Sequence, residues 1–262
     1  MTFVSKQTVL IACLAVLTAS HSFAAPFSHT WRIEDLAGKN AETVELRDKN
    51  NRLLKRIDTK QMIYLYSVMQ AIEEVTELRS ELIITDGEIP NAFATKAMGE
   101  LVRKDPGAGN GPDSGAEETS LKGISIADAK PIDEENAVEI NVIGINFGML
   151  DLLGLDVHMA AALIGHELGH LKLDHGEDHK NRRRTDMQTA ANTKYSRDNE
   201  READYLGAIW AVEAGYDPQG AVRLQELVYK KTRHLSGGFS GSHPSSIERI
   251  TKLKSLARRL SR

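Results

Sequence analysis

His166 and His170 stand four residues apart with Glu167 between them, in the run His166-Glu167-Leu168-Gly169-His170. Four residues are close to one helical turn, so on a helix both imidazoles leave the same side, one above the other. Two imidazoles so placed can reach one tetrahedral metal ion. Glu167 is displaced around the helix and can face a water instead of binding the metal. Those residue types suit hydrolysis. Catalytic zinc takes three protein ligands and a water, and it lowers the pKa of that water towards about 7. A nearby carboxylate then removes the proton as the water attacks a carbonyl. In a chain of 262 residues with 9 histidines, such a run arises by chance roughly 0.02 times.

The competing reading is a pair of ordinary helix histidines. The setting speaks against it. Ala160, Ala161, Ala162, Leu163, Ile164, Leu168 and Leu171 make this helix apolar nearly all round. Burying two histidines and a glutamate there without a metal leaves costly polar groups. Gly165 and Gly169 each weaken a helix by roughly 1 kcal/mol, which is easier to explain if something packs closely against them.

The segment Asn199-Glu200-Arg201-Glu202-Ala203-Asp204 offers the third ligand. Glu200 and Asp204 share a helix face, and Glu202 points elsewhere. Glu200 can complete a His-His-Glu site, and Asp204 one turn on can accept the distal N–H of a ligand histidine. A charged, solvated helix face is the alternative.

The elements that must position these residues are mostly helices. Met62, Leu65, Met69, Ile72 and Thr76 mark one face of a helix within 59–79. Leu82 to Thr85 is a short β run, and 138–147 reads as a strand. Asp156 can cap the metal-binding helix, 157–173. Further helices are expected at 199–213, from Asp217-Pro218 to about Thr232, and from Pro244 onward. In the last, Ile247, Ile250, Leu253, Leu256 and Leu260 point inward. Residues 104–115 form a Gly/Pro-rich loop, and 174–199 is a charged, Asn-rich connection. The fold class is α+β, mostly helical, with a small β-sheet beside the metal-binding helix.

Residues 1–24 read as an export signal: Lys6, an apolar run from Val9 to Ala19, then Ser22-Phe23-Ala24 with small residues before the cut. The only cysteine, Cys13, falls inside it. The apolar run before Cys13 is too short for a lipoprotein signal, so disulfides and thiol chemistry are not expected of the remaining chain. Residues 25–58 read as a polar, partly helical extension, and 59–262 as the main domain. The net charge of −4, with 41% hydrophobic and 27% charged residues, gives no sign of nucleic-acid binding. The run Arg182-Arg183-Arg184 and the basic last helix are compatible with contact to anionic lipid, although such residues more often form a solvated face.

In combination these stretches resemble the HtpX-type and CAAX-prenyl-protease-type zinc metallopeptidases, most closely their BepA/LoiP-like periplasmic branch. The resemblance rests on Asn91-Ala92-Phe93-Ala94, on Ile145 to Leu150, on Ile164 to His170, on Glu200-Arg201-Glu202-Ala203-Asp204, and on Ser242-His243-Pro244 with Arg249 following. It spans about residues 60–260. It implies a gluzincin-type domain with one Zn2+ per chain held by His166, His170 and Glu200, and with Glu167 as general base. It implies that His243 and Arg249 lie near the active site, with His243 either a latent ligand in the metal's open position or an oxyanion stabiliser. It implies that Asn91, Ala92, Phe93 and Ala94 offer an edge strand to a substrate backbone. Unfolded or misassembled envelope polypeptides would be the substrates, in the periplasm or at the outer membrane.

This sequence departs from the resemblance in two places. The connection between His170 and Glu200 is short and polar, and 98–135 looks like an insertion near the cleft. His175 and His179, again four apart, could form a second metal site, but their charged neighbours suggest a solvated surface. Two other readings stay open: a metal-stabilised chaperone or adaptor that cleaves nothing, and a structural zinc protein with His243 permanently bound.

Overall fold

A computed structural model describes residues 29–37, 41–103, 119–125, 137–176, 190–234 and 246–261. The segment read as an export signal lies outside these residues, as do His179, Arg182 to Arg184, His243 and Pro244. The strands are β1 (Thr30–Arg32), β2 (Thr43–Arg47), β3 (Leu53–Asp58), β4 (Ser80–Thr85), β5 (Ala92–Arg103), β6 (Thr119–Ser125) and β7 (Ala137–Asn146). The helices are α1 (Ile33–Ala37), α2 (Thr59–Thr76), α3 (Phe147–Leu153), α4 (Val157–Lys172), α5 (Ala190–Glu213), α6 (Gln219–Thr232) and α7 (Ile247–Leu260).

The fold is α+β, and its larger sheet runs β1-β4-β7-β5-β6. Only β4 and β7 pair in parallel; the other neighbours are antiparallel. The centre of the sheet is apolar: Leu82, Ile84, Ile143 and Ile145 are almost wholly buried. Their face belongs to the main core with Met62, Leu65 and Ile72 of α2 and Ile164 and Leu168 of α4. Helix α4 is sandwiched: α2, α5, α6 and strands β5 and β7 all pack on it. A helix apolar on every side has to lie inside.

The N-terminal stretch differs from the expectation of a polar, partly helical extension. It supplies β1, the short α1 and a β2–β3 hairpin, and Trp31, Ile33, Leu36, Leu46 and Ile57 are buried in the main core. The cue is short: Val44 and Leu46 alternate with polar residues before Asp48-Lys49-Asn50-Asn51, and Asn51 takes the left-handed conformation at φ 63° that asparagine tolerates. Helix α5 starts earlier than expected, at Ala190. The stretch read as an insertion holds an antiparallel pair, Met98–Arg103 with Thr119–Ser125.

The last helix also needs correcting. Ser246 caps it, its side chain accepting from the backbone N–H of Arg249 at 3.1 Å, so the helix begins at Ile247. Ile247 is 64% exposed and does not face inward. The buried face is Arg249, Ile250, Leu253, Leu256 and Ala257. In the first turn, the inward position belongs to an arginine with work to do.

Candidate metal centre

The cap on α4 is Asp156, whose carboxylate accepts from the N–H groups of His158 and Met159, each at 3.0 Å. Arg223 of α6 pairs with the same carboxylate and ties the start of the helix down. Two turns on, α4 meets α5 at glycine. A Cβ on Gly165 would stand 2.8 Å from the carbonyl oxygen of Gly207, and one on Gly169 would stand 3.1 Å from Cα of Ala203. The helices therefore cross in backbone contact. That closeness lets short carboxylate side chains on α5 reach the histidines of α4.

Three donors converge there. Nε2 of His166 and Nε2 of His170 lie 3.1 Å apart. Oε2 of Glu200 is 3.5 Å from the first, and Oε1 is 3.5 Å from the second. All three side chains could serve one ion. A tetrahedral zinc with bonds of about 2.0–2.1 Å separates its ligand atoms by about 3.3–3.4 Å, so the donor set fits that ion. His166 is 6% and Glu200 4% exposed, so the ligands are shielded from competing water.

A second ring of contacts holds the donors. Nδ1 of His166 lies 3.1 Å from Oδ1 of Asp204. A carboxylate there keeps the imidazole proton on Nδ1 and turns the Nε2 lone pair toward the other two donors. The Arg249 guanidinium grips Asp204 through Nε at 2.8 Å and Nη2 at 2.7 Å, and reaches Oε2 of Glu200 through Nη1 at 2.7 Å. Among the described residues, Glu167, Glu200 and Asp204 set three carboxylates against this one guanidinium. A divalent cation held by His166, His170 and Glu200 would add positive charge beside these carboxylates.

The electrostatics follow. Burial by itself depresses the His166 imidazole, but the hydrogen bonds and charges of Asp204 and Glu200 reverse this and raise it to about 9. Burial pushes the Asp204 carboxyl up, and the Arg249 guanidinium, aided by His166, holds it below its ordinary value instead. Burial works against the Arg249 charge, and Asp204 and Glu200 overcome it, so the guanidinium stays firmly protonated. Without metal, a proton on His166 occupies the place that a cation would take.

Glu167 is 1% exposed and borders an apolar cavity lined also by Asn91, Ala92, Leu163, Ala208 and Leu224. The Asn146 side chain fixes the approach to β5: its Oδ1 accepts from the N–H groups of Asn91 and Met149, and its Nδ2 donates to the Ile89 carbonyl at 2.6 Å. Strand β5 as a whole lies between β7 and β6 and is not the edge strand expected, and the four residues expected to bind substrate divide. Asn91 and Ala92 line the cavity. The Phe93 ring packs over Gly144 on the other face of the sheet, against Ile83 and Val142. Ala94 is half-buried in β5, paired with Ile143.

The model of Peptidase family M48 matches residues 180–257. That stretch carries Glu200, Asp204 and Arg249, and it begins after His170. No curated protein matches the chain.

One residue of the site escaped the sequence reading. His175 was expected on a solvated surface, yet it is 4% exposed, and its Nδ1 lies 2.9 Å from Nδ1 of His170. Asp174 and the charged residues after Gly176 gave the segment a polar average that hides one buried position. Gly207 also went unread, although Ala203, Gly207, Ala208 and Ala211 recur at helical spacing on the face that carries Glu200 and Asp204.

Proposed function

We propose that this chain is a zinc-dependent endopeptidase of the cell envelope that hydrolyses peptide bonds in misfolded or misassembled exported proteins. The convergence of His166 Nε2, His170 Nε2 and the Glu200 carboxylate beside Glu167 carries the reading. The family match over 180–257 supports it from the side of Glu200 and Arg249. The exported, periplasmic setting rests on the character of residues 1–24, and the BepA/LoiP-like branch on the motifs that resemble it.

His166, His170 and Glu200 would hold the zinc. When bound, the ion supplies Lewis acidity, acidifying water and polarising the scissile carbonyl. Glu167 takes the proton of the attacking water and passes it to the leaving amine nitrogen. Asp204 keeps the His166 proton on Nδ1. Arg249 acts through Glu200 and Asp204: it is 5% exposed and gripped by both carboxylates, so it positions ligands and does not touch substrate. Asn91 and Ala92 line the cavity beside Glu167 and would border a bound substrate there.

The test is reconstitution. The purified chain without its first 24 residues should carry one zinc and cleave unfolded casein. A chelator should abolish cleavage, and one equivalent of zinc should restore it. Bound zinc without any cleavage would favour a metal-stabilised binding protein. Absence of zinc would overturn the site.

A further inference from the structure

We propose that His175 is a positioning residue for the metal site: its Nδ1 accepts the Nδ1 proton of His170, and Glu202 in turn fixes the His175 proton on Nε2. This rests on the zinc reading of His170 given above.

His170 and His175 face each other Nδ1 to Nδ1 at 2.9 Å, and Nε2 of His175 lies 3.4 Å from Oε2 of Glu202. Two facing imidazole nitrogens bond only if one carries the proton and the other does not. His170 turns its Nε2 toward His166 and Glu200, the donors of the metal site. A neutral imidazole that ligates through Nε2 must hold its proton on Nδ1. His170 is then the donor and His175 the acceptor. The remaining proton of a neutral His175 belongs on Nε2, facing Glu202. The chain of bonds has one direction, from His170 through His175 to the carboxylate. The two ligand histidines thus have separate supports. His166 rests directly on Asp204, and His170 rests on a histidine that itself rests on a carboxylate.

The backbone delivers His175 by a specific route. Helix α4 ends as Leu173 donates to the carbonyl of Gly169 at 3.1 Å and Asp174 donates to that of Leu171 at 3.2 Å. Asp174 takes the left-handed conformation, φ 56°, which turns the chain back and carries the next side chain under the helix end. Lys96 of β5 lies 3.6 Å from Asp174 and steadies the turn. A histidine that is 4% exposed must be hydrogen-bonded, and this turn aims it at a metal ligand.

The experiment uses zinc-loaded protein labelled with 15N in its histidines. Long-range 1H–15N spectra should show His170 protonated on Nδ1 and His175 on Nε2. Zinc dissociation constants, measured by chelator competition, should weaken about 10–100-fold in His175→Phe. His175→Asn, whose Oδ1 sits near the lost Nδ1 and can accept the same proton, should recover affinity to within a few-fold of wild type. A His175 proton on Nδ1, or equal zinc affinity in wild type and His175→Phe, would overturn the proposal while leaving the zinc site intact. Equal weakening in the Phe and Asn variants would reduce His175 to a packing role and overturn it as well. If wild type binds no zinc, the proposal falls together with the reading it rests on. If His175→Phe does not fold, the tautomer spectrum of wild type and the affinity of His175→Asn decide alone.

Discussion

Replacing Gly207 by alanine should drive apart the two helices that carry the candidate metal ligands. The new Cβ would stand 2.5 Å from the backbone nitrogen of His166, 2.8 Å from the carbonyl carbon of Gly165 and 2.9 Å from Cα of His166. All three are backbone atoms of a buried helix, so no side chain can swing clear. Ordinary contact begins near 3.4 Å, so α4 and α5 must separate by about 0.9 Å or one of them must bend. Helix propensity works the other way, favouring alanine over glycine by roughly 1 kcal/mol. Overpacking costs typically about 1–3 kcal/mol, and rigid walls on both sides place this site high in that range. The expected net loss in the metal-free protein is about 1–2 kcal/mol. The ligand geometry suffers too. Glu200 lies two turns before Gly207 on the same face, and a metal site tolerates displacements of only about 0.5 Å, so zinc affinity should fall at least about tenfold. Urea unfolding of the chelated protein reads the first quantity, and chelator competition reads the second. Gly176→Ala is the control, since its Cβ would meet nothing within 4 Å. A Gly207→Ala protein with unchanged or raised stability and unaltered zinc affinity would refute the claim that backbone contact sets the site.

Asp204→Asn should weaken zinc binding by about 10–100-fold, measured by chelator competition, because the carboxylate facing His166 Nδ1 becomes a neutral amide that holds the imidazole proton more weakly. Arg249→Leu should lower the stability of the metal-free protein by about 3–5 kcal/mol in urea unfolding, since two buried carboxylates lose their counter-charge. Added zinc should restore part of that loss through Glu200. The raised His166 value sets two pH effects in the metal-free protein. Its contribution to stability is fully present below pH 6.5 and is lost as pH rises through about 9, visible in thermal unfolding across that window. Zinc must displace the same proton, so apparent zinc affinity should climb about tenfold per pH unit up to about pH 9, with proton release on binding.

The candidate metal centre was legible because its chemistry demands fixed spacings. His166 and His170 one turn apart, and Glu200 and Asp204 one turn apart, announce shared helix faces whatever the rest of the chain does. The cap at Asp156, the buried character of α4 and the face of α2 followed from periodicity alone. The long-range partners were less open to reading. Arg249 faces Glu200 and Asp204 across 45 to 49 residues of chain, and no local pattern shows that an arginine, not Ile247, holds the inward place in the first turn of α7. His175 depends on a left-handed Asp174, a conformation that aspartate tolerates but does not announce. The β2–β3 hairpin was hidden by its length: five and six residues with a few apolar positions look like polar linker until Leu46 and Ile57 are seen buried in the core. Gly165 and Gly169 did signal close packing, but their partner face on α5 became clear only once the helices were seen to cross.

The most direct test of the central claim compares wild type with Glu167→Gln, measuring zinc content and casein cleavage on the same preparations. Glu167 borders the metal site without being one of its three donors, so both proteins should carry one zinc per chain. Only wild type should cleave casein, with the variant slower by about 10²–10⁴-fold. Equal cleavage by the two proteins, or a wild type that holds no zinc, would contradict the assignment of Glu167 and of the site beside it.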